Sequence, residues 1–279
     1  MPRDLADVLH YFLPELDEAT PVEAPHPFAS EPSAIPSDSA DTDPSPSKSI
    51  PALPILGLPI GDRDVVRTTL VWNLAIETTR LGGCTVIVTP QLDRTSTLWP
   101  EAGKGPLGSE LIFCDAHDLA SLSAIATDLA AERAEKARQG GIVFMRIPPA
   151  WLLDPGAPVD AIAWLLLLSS SSPRDLEEAF DCARQVVEAH PKVDLGLSVQ
   201  GARSILEARA TFETLADRMR EELGIDLISY GLLVDDLNMY RAIAAQRPIG
   251  LAHPQAPATR ALMDVARILY QDARSRTLG

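Results

Sequence analysis

The chain has 279 residues, with 24 Lys and Arg against 39 Asp and Glu, a net charge of −15 and a pI near 4.7. A surface of that sign repels phosphate backbones and anionic lipid, so non-specific nucleic-acid binding and electrostatic membrane attachment are excluded as expectations. Hydrophobic residues make up 46% of the chain but aromatics only 5%, so the core must be built from Leu, Val, Ile and Ala, while three scattered cysteines (Cys84, Cys114, Cys182) form neither a disulfide framework nor a zinc pattern.

Residues 1–18 read as a short amphipathic helix. Leu5, Val8, Leu9, Phe12 and Leu13 recur at helical spacing, Asp4 and Asp7 fall in the first turn where the helix dipole favours acids, and Pro14 ends the run. Arg3 is followed by this amphipathic stretch rather than an apolar one, so it does not read as a signal peptide. Residues 19–50 hold seven prolines, many serines and acids and few large apolar groups. Such a segment cannot offset its ordering entropy by burial and is expected to be a disordered linker. A short apolar helix on a long leash either folds back on its own domain or lays its face in a partner's groove. A leash of this length is unnecessary for self-capping, so Leu5, Val8, Leu9, Phe12 and Leu13 are the candidate docking face.

Residues 51–279 alternate apolar runs with amphipathic ones. Strands are expected over 52–58, 85–88, 110–114, 142–147, 161–168, 194–199 and 227–233, and helices over 65–81, 119–138, 174–188, 204–222, 238–246 and 256–275. The run 161–168 is too short to span a bilayer and reads as a buried strand. In the last helix Leu262, Val265, Ala266, Leu269 and Tyr270 share a face that should pack on the sheet. Continuous apolar strands alternating with helices predict one α/β domain, a doubly wound and mainly parallel sheet flanked by helices. The protein is expected to be cytoplasmic, with no direct membrane anchor.

Within that pattern, residues 57–83 read GLPIGDRDVVRTTLVWNLAIETTRLGG. Arg67-Thr68-Thr69 is followed at fixed spacing by Asn73-Leu74-Ala75, then by the strand 82–88, GGCTVIV. Farther on come IVFMRIPP (142–149), WLLLLSSSSP (164–173), LSVQ (197–200), and a closing segment with Gly231, Asp235, Arg241-Ala242, Gln246-Arg-Pro248 and Pro254. In order and spacing, residues 52–270 resemble the MinD/ParA family of deviant P-loop ATPases, which includes the flagellar-number regulator FlhG. That family opens with a strand, a K-G-G-x-G-K-T-T loop and then x-x-x-N-L-A.

Aligning on Thr68-Thr69 shows where the chain departs from the family. The resemblance puts Asp62 at the place of the lysine that reaches across a dimer to the nucleotide. Arg63 and Asp64 replace two glycines, Val66 a third, and Arg67 stands for the phosphate-binding lysine. Glycines let successive backbone N–H groups curl round phosphates, and β-branched Val65 and Val66 resist that curl. Val88-Thr89-Pro90-Gln91 lacks the family's aspartates, Arg146 stands for the acid that holds magnesium through water, and Gln200 for the adenine-reading Asn.

Gly61, Arg67, Thr68 and Thr69 are left as vestigial nucleotide positions. The two threonines read either as helix-start capping residues or as a retained magnesium contact. The resemblance therefore implies a degenerate bacterial member, a pseudo-ATPase with no cofactor, no metal and no catalytic residue. It would act as a scaffold or regulator through protein contacts, with an active paralogue or a polar organising protein as partner, and it could pair as a homodimer. The alternative is a divergent ATPase that holds ATP and magnesium with Arg67, Thr68 and Thr69 and runs a positioning cycle for flagella, pili or chromosomes. A third reading is an anion pocket at the carboxyl ends of the strands, lined by Arg67 and Arg146. Asp115-Ala-His117-Asp118 reads as a solvated helix cap and His190-Pro-Lys192 as a helix end.

Overall fold

Strands covered on both faces need apolar side chains in both directions, and two runs meet that demand in full. Gly141–Ile147 and Trp164–Ser169 are buried at every residue. They are two strands of an eight-stranded sheet in a computed structural model that describes residues 52–91, 98–137, 139–152 and 162–278. The amphipathic segment with Leu5, Val8, Leu9, Phe12 and Leu13, and the linker 19–50, lie outside the described residues.

In chain order the strands are β1 (Ile55–Pro59), β2 (Cys84–Pro90), β3 (Gly103–Lys104), β4 (Glu110–Cys114), β5 (Gly141–Ile147), β6 (Trp164–Ser169), β7 (Asp194–Ala202) and β8 (Ile228–Val234). Their spatial order is β3-β4-β2-β5-β1-β6-β7-β8. Only β3 runs antiparallel, against β4. The helices are α1 (Val65–Arg80), α2 (Leu119–Ala134), α3 (Pro173–Ala189), α4 (Ile205–Leu223), α5 (Leu237–Ala244) and α6 (Pro257–Leu278), with single helical turns at Pro149–Leu152 and Ile249–Ala252. The doubly wound, mainly parallel architecture is the expected one.

The differences are local. β3 is two exposed residues with no apolar pattern to announce it. The second helix stops at Ala134, four residues early. The run expected to be a strand from 161 begins its ladder only at Trp164.

Side chains cap most helix starts. The carboxylate of Asp118 and the side chain of Ser121 form a reciprocal capping box on α2, and Ser172, Ser204 and Asp236 accept from amides of α3, α4 and α5. The C-terminus of α3 falls at His190. Along α6, Leu262, Val265, Ala266 and Leu269 are fully buried and Tyr270 nearly so, as expected. Asn73 has a structural task. Its Nδ2 donates to Thr69 O at 2.8 Å, and its Oδ1 accepts from Ile249 N at 2.9 Å, which ties α1 to the turn that precedes α6. The three cysteines are unbridged. No described helix is long and apolar enough to cross a membrane.

The sheet order also places a crevice. From β1 the chain passes through α1 to β2, two places to one side, and later returns to β1's other flank as β6. The carboxyl ends of β1 and β6 are therefore the switch point, where crossovers diverge and open sheets bind ligands.

Candidate functional site

Residues 60–64 join β1 to α1 at the switch point. Asp64 is the N-cap: its carboxylate accepts from Arg67 N at 2.9 Å. Asp64 N donates to Gly61 O and Val65 N to Arg63 O, both at 3.1 Å, and Thr68 N to Asp64 O. The amides of residues 64, 65, 67 and 68 are thus engaged within the loop and first helical turn. A phosphate cradle needs such N–H groups turned outward. The threonines are not the caps. Thr69 Oγ1 donates back to Val65 O at 2.8 Å, and Thr68 Oγ1 is buried with no partner among the described residues. Nothing in the packing demands glycine at Gly61, where an added Cβ would meet no atom within 4 Å.

Arg146 locks the loop from β5. Register sets it beside Leu58 of β1, and its side chain is 4% exposed. Nε donates to Ile60 O at 3.2 Å, Nη1 to Thr89 Oγ1 at 2.8 Å, and Nη2 to the Asp62 carboxylate. The guanidinium also lies over the Trp99 ring, 4.7 Å from its centroid. Burial pulls its pKa below the usual arginine value and the Asp62 charge opposes that shift. A guanidinium stays protonated even so.

Arg67 lies on the other side of the loop, also buried. Its Nε is 3.4 Å from Asp64 Oδ2, Nη2 is 3.4 Å from Asp175 Oδ2 and Nη1 is 3.8 Å from Glu178 Oε2. None of these three ion pairs is a hydrogen bond, and Nε has no hydrogen-bond partner among the described residues. Asp62, Asp64, Asp175 and Glu178 thus bring four carboxylates to the loop. A phosphate charge brought to 4 Å from any one of them would cost about 1 kcal/mol in water and about 4 kcal/mol at an effective dielectric near 20.

The anion pocket lined by Arg67 and Arg146 together is corrected by this geometry. Arg67 faces a cavity of about 430 Å³ against α3, whereas Arg146 borders a nearly filled space of about 10 Å³ with Thr68 and Trp99. Gln200, near the end of β7, lines a third cavity of about 170 Å³ with Ser170, Asp235 and Tyr240, and its buried Oε1 has no partner among the described residues. At the second acidic stretch Asp118 caps α2, and hydrogen bonds from Ser121 hold its carboxyl below the ordinary carboxylate range. Asp115 and His117 are exposed, and no group of three metal-ligating side chains occurs among the described residues.

No family model matches the chain, and no curated protein matches it. Solved structures do. The chain of the MinC:MinD cell division protein complex of Aquifex aeolicus is 15% identical, with a TM-score of 0.54 over 77% of this chain and 95% of that one. MinD of Pyrococcus horikoshii, complexed with Mg-ADP, is 13% identical, with a TM-score of 0.54 over 77% and 95%. The fold is that of MinD and ParA. A ParA family ATPase of Chlorobium tepidum agrees, at 10% identity and a TM-score of 0.51 over 78% of this chain and 99% of that one. At these identities the likeness extends to the architecture of the MinD/ParA-like sheet, not to the residues on it.

Thr89, Trp99, Asp175 and Glu178 were missed as site residues in the sequence. Thr89 is 57 positions from Arg146, and Asp175 is 108 from Arg67. One local signal existed: Ser172-Pro173-Arg174-Asp175 is a helix start, and the first turn of a helix that follows a switch-point strand must face the crevice.

Proposed function

We propose that this MinD/ParA-like protein is a catalytically inactive scaffold or regulator that works through protein–protein contacts in cellular positioning in a bacterial cytoplasm. The observation that carries the reading is the Arg146–Asp62 bridge, which closes the loop where a triphosphate would sit. Seating ATP there would require breaking that pair, freeing loop amides already engaged, and bringing polyanionic charge among Asp62, Asp64, Asp175 and Glu178. The residues present do not fit ATP and magnesium, and no catalytic step is assigned to them.

A nucleotide can shift a conformational equilibrium only through differential affinity for the two states. Without that input, binding to a partner is constitutive. The partner on this reading is a protein, an active paralogue or a polar organising protein, with self-pairing as a homodimer also open. A MinD of the same fold forms a complex with MinC, which supports a protein partner here. Leu5, Val8, Leu9, Phe12 and Leu13 are the proposed hook.

Calorimetric titration of the full chain with ATP and magnesium tests the reading. No saturable heat up to millimolar nucleotide is expected, and micromolar affinity would overturn it. One observation favours the alternative of a divergent ATPase: Thr68 Oγ1, a buried hydroxyl at the start of α1 without a partner among the described residues. On that alternative Thr68→Ala abolishes the binding heat.

A further inference from the structure

The cavity between β1, β6 and α3 has a chemistry of its own. At about 430 Å³ it falls in the size range of small-molecule sites. Pro59, Pro149, Leu167 and Leu168 give it apolar walls, and Arg67, Arg174, Asp175, Glu178 and the Arg184-paired Asp181 bring charge of both signs to it. The buried member of this set, Arg67, lacks a close hydrogen-bonding partner among the described residues, while Arg174 and Glu178 stand exposed at the cavity mouth. The Arg67 side chain is 10% exposed, yet its donors meet carboxylates only at 3.4 to 3.8 Å. Among the described residues Arg174 pairs with no carboxylate, and Glu178 accepts no hydrogen bond. Asp175 is better satisfied: its carboxylate accepts from Ser170 Oγ at 2.6 Å, and its place in the first turn of α3 favours its negative charge.

Each simple ligand class leaves part of this arrangement in conflict. A lone anion on Arg67 and Arg174 leaves the nearby Glu178 carboxylate with no added cation to offset the new negative charge. A lone cation on Glu178 meets Arg67 and Arg174. A neutral apolar molecule desolvates all of them with no compensation. A molecule with a carboxylate at one end and an ammonium at the other satisfies both sets. Its carboxylate takes the planar forks of Arg67 and Arg174, which suit two-point recognition. Its ammonium takes Glu178, and its short stem lies on the proline and leucine walls.

We propose that this cavity binds a small zwitterion, an amino-carboxylate whose charges are separated by a few methylenes. The inference does not depend on whether nucleotide binds.

The test is calorimetric titration of the full chain with the series from glycine to 6-aminohexanoate, each beside the carboxylate and the amine of matching length. At least one zwitterion should bind with a submillimolar Kd, and its two single-charge counterparts at least about tenfold more weakly, as one lost charge-assisted hydrogen bond predicts. Arg174→Gln and Glu178→Gln alter exposed positions on α3. Each should weaken the zwitterion about tenfold while leaving the melting temperature of the unliganded protein unchanged. The proposal fails if no member of the series binds, if a single-charge analogue binds as tightly as the zwitterion, or if both variants keep the original Kd.

Discussion

Two buried arginines flank the loop between β1 and α1, and they are used in opposite ways. Arg146 donates to a carbonyl, a hydroxyl and a carboxylate and rests on an indole, with almost no space left around it. Arg67 is nearly as buried, is surrounded by three carboxylates, makes no side-chain hydrogen bond among the described residues and borders the cavity of about 430 Å³. Burial alone therefore says little about what a charge does. A guanidinium with its donors satisfied is part of the fold, and one held back from its partners has donors left for a ligand.

The strongest way to break this comparison is to remove Arg146. Arg146→Met keeps much of the apolar stem but strands Thr89 Oγ1 and Ile60 O in a buried strand layer and leaves Asp62 without its cation. Unsatisfied buried groups of this kind cost about 1–3 kcal/mol each, with Asp62 partly rescued by solvent, so a loss of about 3 kcal/mol in urea unfolding is expected. Asp64→Ala comes next. It removes the N-cap of α1 and should cost about 1 kcal/mol. Arg67→Gln should change stability by less than about 1 kcal/mol, because no hydrogen bond is lost and the burial cost of a charge is relieved together with the three ion pairs. If Arg67→Gln proved as destabilising as Arg146→Met, the distinction between lock and ligand group would fall.

The contrast was only half legible in the sequence. Arg146 stood out as a charge inside IVFMRIPP, a run that otherwise reads as a doubly covered strand. Its partners did not, because parallel pairing brings together Asp62, Thr89 and Arg146 from three separate βα units. Asp64 was read as a substituted glycine, although an Asp three residues before Arg67 and ahead of a helical run is also a cap signature, and the cap is what forms. Asp175 was marked only by its place in the first turn of the helix expected over 174–188, and Glu178, one turn on, not at all, since a single sequence does not say which face of the rest of α3 turns to the crevice. The sheet itself was readable because its strands are apolar on both faces, and only β3, with no apolar residue, escaped.

The smallest effect is expected at the far end of α1, where a third buried charge lies between the two extremes. Glu77 is 3% exposed and sits under Gly250, whose added Cβ would come within 2.2 Å of its Oε1. Arg80 approaches at 3.4 Å, but desolvation outweighs that attraction and raises the Glu77 pKa above the ordinary carboxylate value. The folded state then holds this proton more tightly than the unfolded chain does. The stability it contributes is fully present below the unfolded carboxylate pKa and is lost as pH rises through the folded one. Glu77→Gln cannot ionise, so its melting temperature relative to the parent should rise between acidic and neutral pH, with the gap opening from the carboxylate range upward. A gap that stayed constant with pH would mean that Arg80 fully compensates the buried charge, and would place Glu77 with Arg146 among the satisfied groups.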